Sequence, residues 1–219
     1  MTVLPMFPLG TVLLPSAVLP LHVFEDRYRV LVRHCLDGEG RFGVVLIERG
    51  SEVGGGDVRT NVGTMAHILE VAHFDDGRYA LAAVGRERIT VTRWLDDNPY
   101  PRAEVAVWED PAAEPEVEGR LAEATTTLRR LLARLVEAGE AVAPATSELA
   151  DDLVLATYQA AVLAPLGPAD KQALLAAPTP AARVMLLTTL LDAELDAVER
   201  LIELGPPPSG LHDDPDDER

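Results

Sequence analysis

Cysteine is almost missing from this chain of 219 residues. The single thiol, Cys35, allows no intramolecular disulfide, which fits a reducing cytoplasm. Lysine is as scarce: Lys171 stands alone, at a predicted helix start, with no serine in a nucleophile setting. No G-x-x-x-x-G-K-[ST] pattern occurs, so a P-loop is excluded. No stretch approaches the roughly 20 apolar residues that a membrane span needs. Met1-Thr2-Val3-Leu4-Pro5 has neither a basic start nor an uninterrupted apolar core, so no signal peptide is expected. Basic segments are missing too. Residues 1–110 carry 11 basic against 16 acidic side chains, 111–204 carry 7 against 15, and 205–219 carry 1 against 5. With every segment negative and a net charge of −17, a sequence-independent grip on phosphate backbones is not expected.

What is present argues for a folded chain. Apolar residues make up 47%, enough to bury a core. The organising stretch is Phe7 to Tyr28, FPLGTVLLPSAVLPLHVFEDRY. Thr11 to Leu14, bounded by Gly10 and Pro15, reads as a short buried strand. Pro5, Pro8, Pro15 and Pro20 each remove a donor and fix φ, so extended pieces must alternate with turns. Glu25 and Asp26 fall in a first helical turn, where the macrodipole favours negative charge. A helix is expected over Glu25–Leu36, with Tyr28, Leu31, Val32, Cys35 and Leu36 on one stripe.

Strands are expected over Phe42–Ile47, Gly63–Phe74, Tyr79–Trp94 and Ala103–Trp108. Asp75-Asp76-Gly77 reads as a hairpin turn, and Gly85-Arg86-Glu87 as a bulge or a turn between two strands. Glu48–Asn61, with Gly54-Gly55-Gly56, reads as a mobile loop. Composition changes at the linker Asp110–Pro115. Beyond it, Ala, Leu, Glu and Arg predict helices at Val117–Ala138, Ser147–Leu163, Pro168–Ala176 and Thr179–Leu204. Ser147 is the expected cap of the second of these, and Thr179-Pro180 starts the last. Residues 205–219, rich in Pro and Asp, are expected to be a disordered acidic tail. Strands first and helices afterwards is an α+β arrangement.

The order Phe7-Pro8, Pro20, Phe24-Glu25, Arg27-Tyr28 resembles the opening of the Lon protease N-terminal, substrate-binding domain. Gly63 resembles its glycine-led strand, Gly85-Arg86-Glu87-Arg88 its G-R-x-R turn, and Leu166 to Leu204, with Lys171 and Arg183, its helical end. The resemblance reaches to about Leu204 and is to the stand-alone form, without ATPase and peptidase domains. It implies a PUA-like pseudo-β-barrel with one helix over residues 1–110, then an α-helical bundle over 111–204.

The chemistry of the remaining candidates is modest. His34 and Cys35 point about 100° apart on a helix and do not pair, so Cys35 reads as a buried structural thiol. His67 and His73 would lie about 20 Å apart on one strand face, too far for one metal. No catalytic residue, metal or cofactor is expected. Glu25, Arg27, Arg86 and Arg88 read as ion pairs pinning the first helix to the barrel, in preference to substrate contacts. The function implied by the resemblance is non-catalytic recognition of unfolded or extended polypeptide, as an adaptor in protein quality control with a protease or chaperone partner. The candidate contacts are Leu9, Leu14, Leu21, His22, Trp94 and Tyr100, with Trp108 a further aromatic at core or rim. The alternative is a nucleic-acid or small-ligand module on the same barrel. A monomer or weak dimer in the cytoplasm, free of membrane, is expected.

Overall fold

The computed structural model describes residues 2–49 and 58–204; Gly54-Gly55-Gly56 and the tail from 205 lie outside the described residues. The described chain holds six strands and five helices. They are β1 (Thr2–Leu9), β2 (Val18–Val23), α1 (Asp26–Asp37), β3 (Arg41–Arg49), β4 (Val58–His73), β5 (Tyr79–Leu95), β6 (Arg102–Val107), α2 (Glu116–Glu137), α3 (Leu153–Leu163), α4 (Pro168–Ala176) and α5 (Pro180–Leu204).

The sheet order is β2-β5-β4-β3-β1-β6, and β5 also pairs with β6. Pairing therefore closes into a ring through β1, β3, β4, β5 and β6, with β2 attached outside it. Only β1 and β3 run parallel, with Met6 opposite Gly43 and Leu9 opposite Leu46. The first half of β1 pairs β6 and the second half β3. Each half thus has one partner in the ladder, which leaves room for Pro5 and Pro8 and their missing donors. The strand expected over Thr11–Leu14 does not form. The first strand is Thr2–Leu9, and Thr11–Leu14 is irregular backbone. Leu13 and Leu14 are buried there because the Thr64 hydroxyl donates to the Leu13 carbonyl at 2.5 Å, fixing the crossing chain against β4.

One glycine permits that crossing: a Cβ on Gly85 would meet the carbonyl oxygen of Leu14. Gly63 serves the β3–β4 pairing, where a Cβ would meet the carbonyl oxygen of Val44. The β4–β5 ladder is shifted between Thr64 and Ala66, opposite Arg88 and Gly85. Gly85-Arg86-Glu87 is accordingly a bulge in one long strand.

Helix α1 buries Tyr28, Leu31, Val32 and Cys35 on a single stripe, whereas Leu36, expected on it, is exposed at the helix end. They join Phe7, Phe42 and Leu81 in one core, where the Phe7 and Tyr28 rings stack at 4.1 Å. A second core lies inside the ring, around Met6, Val45, Ile89 and Val105. The largest gathers α2–α5, and Leu14, Val12 and Val62 from the strand region enter it.

Helix α3 starts later than the sequence implied. Ser147 donates to the Pro144 carbonyl in a turn, and the cap is Asp152, which accepts from Leu155 N at 2.8 Å. Carboxylate caps are as favourable as serine, and Asp151-Asp152 precedes the apolar run directly. Thr179 does begin α5, its hydroxyl accepting from Ala182 N.

Candidate functional site

The end of β2 is one of several places where the chain leaves apolar groups in solvent; Leu69, Val136, Met185 and Leu201 are exposed elsewhere. Alternation along the strand turns Leu19 and Val23 inward, while Val18 is 63% exposed and Pro20 and His22 face solvent. The strand cannot continue past Val23, because α1 begins at Asp26. Phe24 sits at that corner and is 60% exposed. Opposite it, the β4–β5 hairpin turns at Asp75-Asp76-Gly77, with Phe74 N bonded to the Arg78 carbonyl. That turn holds Phe74 at the tip, 44% exposed.

Between the two rings lies a hollow of about 180 Å³, lined by His22, Val23, Phe24, Phe74, Arg78 and Tyr79. A second hollow, on the α1 side, also reaches Leu21, His22 and Phe24. A third of about 300 Å³ lies over the sheet face, floored by Ala72, Ala80 and Ala82 beside Pro20 and His22. Cross-strand register explains that floor: Pro20 is opposite Ala82 and His22 opposite Ala80, and these pair with Glu70 and Ala72 on β4. The small side chains leave the sheet surface open. Charge near the main hollow is neutralised locally. Arg78 donates to Asp76 at 2.6 Å, and that contact, led by the Arg78 backbone N–H, holds the Asp76 carboxyl below its usual range.

A second feature lies where the sheet meets the helices. Arg88, on β5, is 2% exposed and Arg183, on α5, is fully buried. Both donate to Asp110 Oδ1, at 3.0 and 2.6 Å. Arg88 also donates to the Ala177 and Leu175 carbonyls at 2.5 and 3.0 Å, and Arg183 to Thr157 Oγ1 and Tyr158 OH. The Tyr158 hydroxyl in turn donates to Asp110 Oδ2 at 2.8 Å. Burial pushes the Tyr158 phenol well above its ordinary range. Every named donor is used inside the protein, so the cluster acts as a clamp between β5 and the helices. The ring of Trp108 stacks on Arg88 at 3.9 Å, and a cleft of about 460 Å³ opens beside it.

The residues proposed from sequence divide sharply. Leu21 and His22 come together at the β2 corner. Leu9, Leu14 and Tyr100 do not; they are 5%, 1% and 3% exposed and serve the core. Tyr100 OH meets His34 Nδ1 at 2.7 Å. Trp94 is half-buried at the far end of β5, under Arg59 and bonded to Asn61. The ion pairs expected to pin α1 are also placed differently. Arg27 pairs with Glu25 in its own segment at 3.0 Å, Arg86 is exposed on the bulge, and Arg88 holds the end of α4 directly and α5 through Asp110. Phe24, read as part of a structural motif, is exposed, whereas its neighbours Phe7 and Tyr28 are packed. Phe74 and Val18 were missed. The signal for Phe74 was an aromatic ring directly before a hairpin turn.

Cys35 is buried, with its thiol pushed up to about 12 by desolvation, and it donates to the Arg41 carbonyl. Lys171, half-buried on α4, has its pKa lowered by burial. Among the described residues, no three His, Cys, Asp or Glu side chains gather as a metal site, and no helix is long and apolar enough to cross a membrane.

Comparison with known proteins gives this geometry a context. The family model described as the ATP-dependent protease La (LON) substrate-binding domain matches residues 3–193. The chain is similar to Lon protease 2 of Myxococcus xanthus, 27% identical over 205 residues, which cover 90% of this chain and 24% of that protein. It is 29% identical to the Lon protease of Anaeromyxobacter dehalogenans over 69% of this chain and 18% of that one. The chain thus spans about a quarter or less of the length of these relatives. Among solved structures, the Lon N-terminal domain protein from Xanthomonas campestris superposes with a TM-score of 0.64 at 30% identity, covering 86% of this chain and 98% of that one. The N-terminal domain of the Mycobacterium avium complex Lon protease gives the same TM-score at 18% identity, over 87% of this chain and 98% of that one, a likeness of fold.

Proposed function

The chain belongs to the family of ATP-dependent protease La (LON) substrate-binding domains, and from that premise we propose that it binds unfolded or extended polypeptide at the apolar corner of β2. The observation that carries this reading is the pair Phe24 and Phe74, two exposed rings facing one hollow. Exposed apolar groups gathered around a concavity mark interaction sites, whereas single ones do not. Unfolded chains differ from folded ones chiefly in offering apolar side chains to such a surface.

The protein acts by binding, as an adaptor that hands clients to a separate protease or chaperone in the cytoplasm, and works as a monomer or weak dimer. We read the closed strand pairing as a PUA-like pseudo-barrel over residues 1–110, and α2–α5 as a bundle over 111–204 attached through the Asp110 clamp. The net charge of −17 disfavours the nucleic-acid alternative.

Fluorescence anisotropy with a labelled unfolded peptide and an RNA of matched length tests this. A micromolar peptide complex, about −8 kcal/mol, is expected, with little change as salt rises because few charges are paired. Phe24→Ser should weaken it about tenfold, as loss of an aromatic anchor does. RNA binding that falls steeply with salt, with no peptide signal, would reject the proposal.

A further inference from the structure

Among the described residues, β2 is the only strand with a single neighbour. Each strand of the ring pairs on both sides over at least part of its length. The outer edge of Val18–Val23 therefore presents unpaired backbone N–H and C=O groups, a template for another extended chain. Natural sheets blunt such edges, and long exposed apolar side chains on them are normally avoided. Here Val18 at one end and Phe24 just past the other remain 63% and 60% exposed.

We propose that β2 accepts client polypeptide by strand addition: the client's backbone pairs along the edge and an aromatic or large aliphatic side chain enters the hollow between Phe24 and Phe74. This rests on the polypeptide-binding reading above and specifies how that binding is achieved. Main-chain pairing gives affinity without regard to sequence, and the pocket at the end sets the preference. The six residues of β2 span about 20 Å, which suits a client stretch of similar length.

Pro20 decides between a client and a second copy of this chain. A two-fold antiparallel pair of β2 strands would place both Pro20 residues near its centre and lose two donors there. A foreign strand meets only one. The proline thus weakens self-association while leaving most of the edge available.

The test alters the client and leaves the protein intact. The probe is a labelled eight-residue peptide of alternating valine and threonine with a phenylalanine near one end, in three forms: unmodified, N-methylated at two even-numbered amides, and N-methylated at two odd-numbered amides. Only one set of amides in an added strand faces the edge. Removing two ladder bonds should weaken binding about 30-fold in one methylated form, with the other within twofold of the parent. Hydrogen exchange at the β2 amides should slow on adding the parent peptide, and α5 should be unaffected. Equal affinity of all three forms would overturn strand addition while leaving polypeptide recognition standing. Absence of binding by the parent, with other unfolded chains bound, would overturn it as well. No binding of any unfolded chain would remove the function proposed above. A chain that sediments as a dimer and is dissociated by the parent peptide would show that the edge is filled by a second copy, contrary to the proposal.

Discussion

Replacing Asp110 by alanine removes the one carboxylate that faces two buried guanidinium groups. Arg88 and Arg183 are 2% and 0% exposed, so neither can turn to water without opening the sheet–helix junction. Burial pulls the pKa of Arg88 down, while Tyr158 and Asp110 pull it back up and Arg183 adds to the lowering. Without Asp110, burial and the Arg183 charge are opposed only by Tyr158, Thr157 and the carbonyl bonds. Breaking a buried pair in this way costs about 3–5 kcal/mol, against a total of about 5–15 kcal/mol for a typical protein. For a chain of this size the melting temperature should fall by about 10 °C. Asp110→Asn keeps an acceptor oxygen and should lose less. Urea unfolding followed by tryptophan fluorescence is the assay, because Trp108 lies on Arg88 and reports the junction directly. A loss below about 1 kcal/mol for Asp110→Ala would mean that solvent reaches both arginines, and the clamp would have to be abandoned.

Three further outcomes are expected. The Cys35 thiol, raised to about 12, should resist alkylation at pH 8 in the native protein and react once unfolded in urea. Because its folded pKa lies above the unfolded value near 9, its contribution to stability is complete below pH 9 and fades as pH rises toward 12; stability rising with pH across that window would contradict the assignment. Gly85→Ala should destabilise by about 1–3 kcal/mol, since the new methyl meets the Leu14 carbonyl; a neutral result in thermal melts would show that the crossing chain can shift. Phe24→Ser and Phe74→Ser should change stability by no more than about 0.5 kcal/mol, as both rings stand largely in solvent, and a large loss would recast them as core residues.

The parts legible in the sequence were those with a period or a breaker. The α1 stripe, Pro at the start of α5 and the bulge at Gly85 each carry a local signature. The first strand was misplaced because Pro5 and Pro8 look hostile to a sheet, and only the split partnership of β1 makes them acceptable. Thr11–Leu14 looked like a strand because its burial is set by tertiary contact with Thr64 and the helices. Site residues were harder. Apolar character does not say whether a side chain is inside, and Leu9 and Leu14 are deeply buried while Phe24 is exposed. The Arg88–Asp110–Arg183 clamp joins residues up to 95 positions apart in number and has no local pattern at all.

Site-specific photocrosslinking tests the central claim most directly. Phe24 would be replaced by photoreactive benzoylphenylalanine, and in a separate variant Arg129, exposed on α2, would be replaced in the same way. Each protein would be illuminated with a labelled, permanently unfolded polypeptide. The account predicts strong crosslinking from position 24, suppressed by excess unlabelled peptide, and background from position 129. Equal yields from both positions, or crosslinking from 129 alone, would contradict the placement of the binding surface at the β2 corner.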